Sequence, residues 1–398
     1  MPLSGIKVLD LTSVVVGPAA TLRLADLGAE IIKIESPDGD LLRTLGGPSP
    51  SGTLSGKFLH FNRDKRFVGL NLRAPEGLKA LQRIMQSCDV FITNVRPDSL
   101  ARMGLDAAAC RSAKPDLVHC IITGFGPGGP YRGRPAYDTV LQAASGLAGL
   151  TIERDGAPSF APFLAADHVV AEIAAGAIAA ALVQRFRTGE GSTIEIPMHE
   201  TMAAFVLQEH LGPATFDPPL GPPGDRRVLD PNARPIATQD GWIAITANTD
   251  AQAKAFLRAV GRDDLIDDPR FASVAARVKN SNEWFRLREE SIAKGTTAHW
   301  LTLLAELDIP AMPCHALAAI ADDPHLAAVK LVERAVHPTE GPVRSVRPTL
   351  VIDGEVVRSQ SLARALGSDT RKVLAEAGYS DAEIDGLVRS GAAIDGHA

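Results

Sequence analysis

The chain has 398 residues, 45% of them hydrophobic and 22% charged, the proportions of an ordinary soluble globular protein. That length exceeds what one compact core organises, so two domains are expected, and a formal net charge of -6 argues against nucleic acid or an acidic membrane as partner. The four cysteines (Cys88, Cys110, Cys120 and Cys314) form no CxxC pair and no Cys/His spacing suited to zinc, so no metal site is expected and free thiols in a reducing cytoplasm are the simple reading.

The opening residues MPLSGIKVLDL carry no basic region followed by a long apolar run, so no signal peptide is expected. IKVLDL, GPAATLRLADLGA and EIIKIE then read as strand, helix and strand, a βαβ unit that predicts parallel pairing. FVGLNL is a third strand. APEGLKALQRIMQS is an amphipathic helix with Pro75 near its start, and DVFIT a fourth strand. DLVHCIITGFG is a strand ending at glycines. The apolar stretch from Val169 to Val183, interrupted by Glu172, is shorter than the ~20 residues of a membrane span and reads as a buried helix. GSTIEIPM is the strand that follows it. Strands alternating with helices predict an α/β fold with an open, doubly wound, Rossmann-like parallel sheet. Leu211 to Pro235 is dense in Pro and Gly and reads as a linker or surface loop. DGWIAITANT opens a smaller α/β piece with helices around 251–260, 282–293 and 297–307, and an Ala/Leu-rich tail runs from 360 to 393.

Asp167 and His168 stand where the long apolar helix begins. Asp is a favoured N-cap, so the plain reading is structural. The sharper one is a carboxylate nucleophile whose apolar neighbours limit its solvation. His168 reads as structural. Two basic stretches follow the same logic. FNRDKR with Arg73, and TNVRPDSLARMG with Arg96 and Arg102, read either as solvated surface or as an anion site for a phosphorylated cofactor, with Val95 and Met103 as an apolar seat for a base. TGFGPGGPYRGRPAYD follows a strand, where ligands usually bind in such sheets, but it is not a GxGxxG fingerprint. There is no GxxxxGK[ST] P-loop and no GxSxG elbow, which weighs against ATP-driven ligation and serine hydrolysis.

Taken together, GIKVLDLTSVVVGPAATLRLADLGAEIIKIESPDGD, FNRDKRFVGLNLRAPEG, DVFITNVRPDSLARMGL, ITGFGPGGPY, AYDTVLQAASGL, RTGEGSTIEIPMHE and NARPIATQDGWIAI resemble the class III CoA-transferase family, in family order. The resemblance implies a large Rossmann-like domain of residues 1–220 and 330–398, a small domain of residues 221–329, and two chains threaded through one another as an interlocked homodimer. It implies acyl-CoA and carboxylic acid substrates, coenzyme A as a substrate, and no tightly bound cofactor. Asp167 holds the place of the family's nucleophile, and Asp138 matches an acidic residue near the reacting carbon. Arg73, Asn94, Val95, Arg102 and Met103 match CoA contacts.

Three positions depart from family members. Racemases carry a proton-transferring His where Tyr137 stands, which argues against racemisation. Formyl-CoA transferase has Gln at the place of Val15, and an Arg that contacts the cofactor at the place of Ser36. The reaction implied is CoA transfer through an aspartyl-CoA thioester on Asp167. Arg132 and Arg134 near Tyr137 read either as solvated surface or as partners for a second carboxylate, the latter implying a dicarboxylic acid. An acyl-CoA racemase or isomerase, or a non-catalytic CoA-binding protein, are the alternatives.

Overall fold

The computed structural model describes residues 1–396. The chain divides into two compact units, one of residues 1–145, 161–203 and 325–398, the other of residues 146–160 and 204–324.

The first unit is organised by a seven-stranded sheet: β1 (Lys7–Leu11), β2 (Glu30–Glu35), β3 (Lys65–Leu70), β4 (Val90–Thr93), β5 (Val118–Thr123), β6 (Thr193–Pro197) and β7 (Ala393–Ile394). Spatial order is β7-β3-β2-β1-β4-β5-β6. Every pair is parallel except β7 on β3, where Ile394 faces Gly69. A side chain at Gly69 would stand 2.6 Å from the Ile394 Cβ, so glycine lets this edge pair close. The central strands are mostly apolar and largely buried, as a sheet covered on both sides requires, with Asp10, Lys33 and Lys65 among the buried charged exceptions; β4 and β5 are buried throughout.

Helices fill the crossovers. Those that matter here are α1 (Val16–Asp26), α2 (Pro75–Met85), α3 (Pro97–Met103), α4 (Asp138–Ala144) and α5 (Ala165–Thr188). One core lies where Leu81, Ile84 and Met85 of α2 meet Leu9, Ile32, Val68 and Phe91 of the sheet. On α5, Ala166, Val170, Ala171, Ala174 and Ile178 are buried, and these small side chains let its backbone run close along α1. The helix extends over 24 residues, longer than its apolar run, and ends at Gly189 in the left-handed region. Length and composition alone would let it span a membrane, but one face is packed inside the protein.

Two elements have no counterpart in the sequence reading. The hairpin of Val332–His337 with Gly341–Val346 lies in the first unit, as does the two-residue edge strand β7. A smaller hairpin turns at Asp353-Gly354, both with positive φ, as a tight two-residue turn demands.

The second unit carries an antiparallel sheet of Ile236–Ala237, Trp242–Ile245 and Ala311–Pro313. Helices Asp250–Ala259, Ser281–Ile292 and Thr297–Glu306 pack Phe256, Trp284 and Trp300 into its own core.

Candidate active site

In the order β3-β2-β1-β4-β5-β6, the order in which successive strands are added reverses between the parallel neighbours β1 and β4, and ligands in such sheets bind beyond the carboxyl ends of the strands at that switch. A cavity of about 950 Å³ opens there. Its walls are Ser13 to Val16 after β1, Asn94 to Ser99 after β4, Thr123 to Phe125 after β5, and Glu195 and Met198 at the end of β6. Arg132 to Tyr137 and Asp167 complete it.

The loop after β1 is shaped by buried charge. Val14 adopts φ +67°, unusual for a β-branched residue, and its N–H donates to the Asp40 carboxylate at 3.1 Å. Lys33 joins Asp40 to the Thr12 carbonyl, both contacts at 2.9 Å. Ser13 and Asn94 exchange two hydrogen bonds, 3.1 and 3.0 Å, which tie this loop to the one after β4. Gly17 is required because a side chain there would fall 2.2 Å from the Thr12 Cβ. The first turn of α1 therefore reaches the cavity at Val15 and Val16 with no side chain capping it.

Beneath this loop, Asp10 accepts from Thr12 and Thr21, and Lys65 donates to Asp10, Thr21, Asn62 and the Pro18 carbonyl. Burial pushes the Asp10 carboxyl up, yet Lys65 and Lys33 together hold it below its ordinary value. Burial pulls the Lys65 ammonium down to about 8.

Asp167 is in the opposite situation. It is the third residue of α5, inside the first turn and not at the cap, so the N-cap reading of the sequence does not hold. The cap position is Leu164, which offers no side-chain acceptor. Asp138 on α4 does the capping instead. Its Oδ1 accepts from the N–H groups of Ala166 at 2.8 Å and Asp167 at 3.1 Å. Its Oδ2 accepts from Gln142 at 2.6 Å. Among the described residues, the Asp167 carboxylate has no hydrogen-bond donor and no cation on it; it is 9% exposed and lines the cavity. Burial first, and the like charge of Asp138 second, push its carboxyl up to about 7. A desolvated carboxylate with no partner is a strong oxygen nucleophile once ionised.

Similarity to known proteins shows the family. The family model described as CoA-transferase family III matches residues 3–370. The chain belongs to the class III CoA-transferase family. It is 32% identical to the succinyl-CoA:glutarate CoA-transferase of Mus musculus, over 98% of this chain and 90% of that protein. It is also 32% identical to the succinate–glutarate CoA-transferase of Agrobacterium fabrum, over 94% of this chain and 95% of the relative. The crystal structure of a CaiB/BaiF family protein from Brucella suis superposes with a TM-score of 0.79 at 30% identity, covering 95% of this chain and 99% of that one. The protein is an enzyme that transfers CoA, and CoA thioesters are its substrates.

Of the residues that the resemblance aligns with CoA contacts, Asn94, Val95 and Arg102 line the transferase's cavity. Arg73 is exposed and outside the lining, and Met103 packs against the core beside α2. Asp138 also stands outside the lining, 4% exposed, with both oxygens engaged. The basic stretch at 63–66 is not an anion site. Arg63 pairs with Asp26 and Asp64, Lys65 with Asp10, and Arg66 with Glu30 and Glu376. The stretch at 96–102 is the one that faces the cavity. Arg96, Arg102, Arg132 and Arg134 all line it, and among the described residues none forms an ion pair; Arg102 donates to Ser99 and Arg134 lies over the Tyr131 ring. His168 is wedged beside Phe61 and Phe163, and burial lowers its pKa, so its neutral ring packs. Glu195 and Met198 are site residues that no pattern in GSTIEIPM marked.

Proposed function

We propose that this enzyme moves CoA from an acyl-CoA thioester to a dicarboxylic acid through an aspartyl-CoA thioester on Asp167. The observation that carries the reading is the Asp167 carboxylate, nine-tenths buried, facing the cavity, with neither donor nor cation on it. An Asp167 oxygen attacks the thioester carbonyl carbon; the C–S bond breaks, leaving a mixed anhydride and CoA thiolate. The thiolate attacks the aspartyl carbonyl and expels the donor acid as its carboxylate. The acceptor carboxylate then attacks the aspartyl thioester, releasing thiolate and forming a second anhydride. Thiolate attack on the acceptor acyl carbon completes the new thioester and frees Asp167. Each step exchanges one acyl bond for another, so no ATP is consumed.

Arg96 and Arg102, with Asn94 and Val95, hold CoA beyond β4 in this reading, and binding energy from that distant part orients the thioester. Arg73 and Met103 are assigned weaker roles at the edge of the same cofactor. The uncapped N–H groups at Val15 and Val16 receive charge developing on the carbonyl oxygen. Val14, Val15, Ile122, Phe125 and Met198 keep water from the anhydride.

Two relatives are named for succinyl-CoA or succinate with glutarate, and Arg132 and Arg134 in the cavity wall have no ion-pair partner among the described residues. Both support a second carboxylate on the acceptor, bound by the guanidinium groups. Interlocked pairing of two chains is part of the proposal. Support for it is the exposed apolar face of α5, where Ile173, Val183 and Phe186 are 44%, 58% and 69% exposed. Three buried free thiols, Cys88, Cys110 and Cys120, suit a reducing cytoplasm. The test is transfer from succinyl-CoA to glutarate followed by mass spectrometry. Arg132→Ala with Arg134→Ala raises KM for glutarate by on the order of tenfold and leaves KM for butyrate in place; equal effects on both acids remove the dicarboxylate assignment.

A further inference from the structure

Asp138 is the most heavily engaged carboxylate near the nucleophile, yet it reaches neither the cavity nor a cation. Resting on the reading of Asp167 as nucleophile, we propose that Asp138 is its positioning residue: it caps α5 from the neighbouring helix and keeps the first-turn N–H groups away from the Asp167 carboxylate.

Helix starts have orphan N–H groups, and an acidic side chain in the first turn commonly folds back to satisfy them. Asp167 stands where it could do this. A carboxylate so engaged is held in its ionised form and is a poor nucleophile. Here the N–H groups of Ala166 and Asp167 are taken by Asp138 Oδ1. Leu164 at the cap supplies nothing that competes. Asp138 is itself held in place. Gln142, fully buried, donates to Asp138 Oδ2 and to the Phe163 carbonyl at 3.1 Å, and accepts from the Ala161 N–H at 2.9 Å. One glutamine thus ties α4 to the segment that leads into α5. Asp167 is left lining the cavity with a like charge beside it.

The other charged groups around Asp167 do not play this part. On α5, Glu172 pairs with Arg23 of α1, and His168 lies between aromatic rings. Asp26 of α1 is paired with Arg63. Glu195 of β6 accepts from Thr123, and Arg132 and Arg134 line the cavity without a hydrogen bond to Asp167. Among the described residues, Asp138 is the charged group whose side chain hydrogen-bonds the backbone of the turn that carries Asp167.

The experiment measures the pH dependence of Asp167–CoA adduct formation from succinyl-CoA in wild type, Asp138→Asn and Asp138→Ala, with CoA affinity measured in parallel. Asp138→Asn removes the charge and keeps an acceptor for the helix, so its acid limb moves down by about one pH unit with the high-pH rate nearly kept. Asp138→Ala also frees the N–H groups to bind Asp167, so its acid limb moves down further and its high-pH rate falls by on the order of tenfold or more, CoA affinity unchanged. If Asp138→Ala does not fold, Gln142→Leu, which loosens Asp138 without removing it, serves in its place and lowers the high-pH rate. Wild-type adduct with an unmoved acid limb and an unchanged high-pH rate in Asp138→Ala overturns the positioning role alone. Absence of any wild-type adduct on Asp167 overturns the reading on which it rests.

Discussion

Asp10 and Asp167 are both buried carboxylates of the first unit, and their surroundings send them in opposite directions. Asp10 has Lys65 at 3.3 Å and two hydroxyl donors, and its carboxyl stays below the ordinary range despite complete burial. Asp167 has no donor and no cation among the described residues, has Asp138 beside it, and is pushed up to about 7. Burial is common to both. What separates the two carboxylates is the partner supplied with each, and the charged cluster under β1 uses its lysines to hold the loop that walls the cavity.

Swapping or deleting these partners sharpens the contrast. The largest effect is on chemistry: Asp167→Ala lowers transfer by on the order of 10³-fold or more and leaves CoA affinity intact, as steady-state rates and calorimetry would show. Next comes the structural pair. Lys65→Met leaves Asp10 without its nearest cation and destabilises folding by about 3–5 kcal/mol in urea titrations; a loss below 1 kcal/mol would mean that Lys33 alone satisfies Asp10.

Stability also reports the strain at Asp167. Its folded pKa lies above the unfolded value, so the folded state binds the extra proton and stability falls as pH rises from about 4 to 7. Asp167→Asn removes that penalty. The variant matches wild type near pH 4, gains through neutral pH, and levels off above 7 at an advantage on the order of 2–4 kcal/mol. A variant less stable than wild type at pH 8 would contradict the assigned direction. The smallest effects concern CoA. Arg102→Ala weakens its binding about tenfold and Arg73→Ala about twofold, in line with their places inside and outside the cavity lining.

Much of the sheet was readable from the chain. Runs such as EIIKIE and DVFIT are short, β-branched and bounded by turns, and they are β2 and β4 within a residue. Strand order, and so the cavity at the β1/β4 reversal, follows from packing that no local pattern encodes. The edge strand β7 is two residues long, too short to show a period. At the site, the failures have one cause, sequence distance. FNRDKR reads as a cationic patch because Asp26, Asp10, Glu30 and Glu376, which neutralise it, lie far away in the chain. Asp167 reads as a cap because its true cap, Asp138, lies 29 residues earlier on another helix. Val14 at positive φ is held there by Asp40, and nothing about valine announces it.

The central claim is that the Asp167 oxygen becomes bonded to the acyl carbon and then carries CoA. Wild-type enzyme incubated with succinyl-CoA in the absence of acceptor acid, quenched in acid, digested and sequenced by mass spectrometry tests it. The account predicts a CoA-mass adduct on the peptide containing Asp167, lost when glutarate is added and absent from Asp167→Ala. Turnover of succinyl-CoA and glutarate with no adduct on that peptide, or with the adduct persisting in Asp167→Ala, would contradict it.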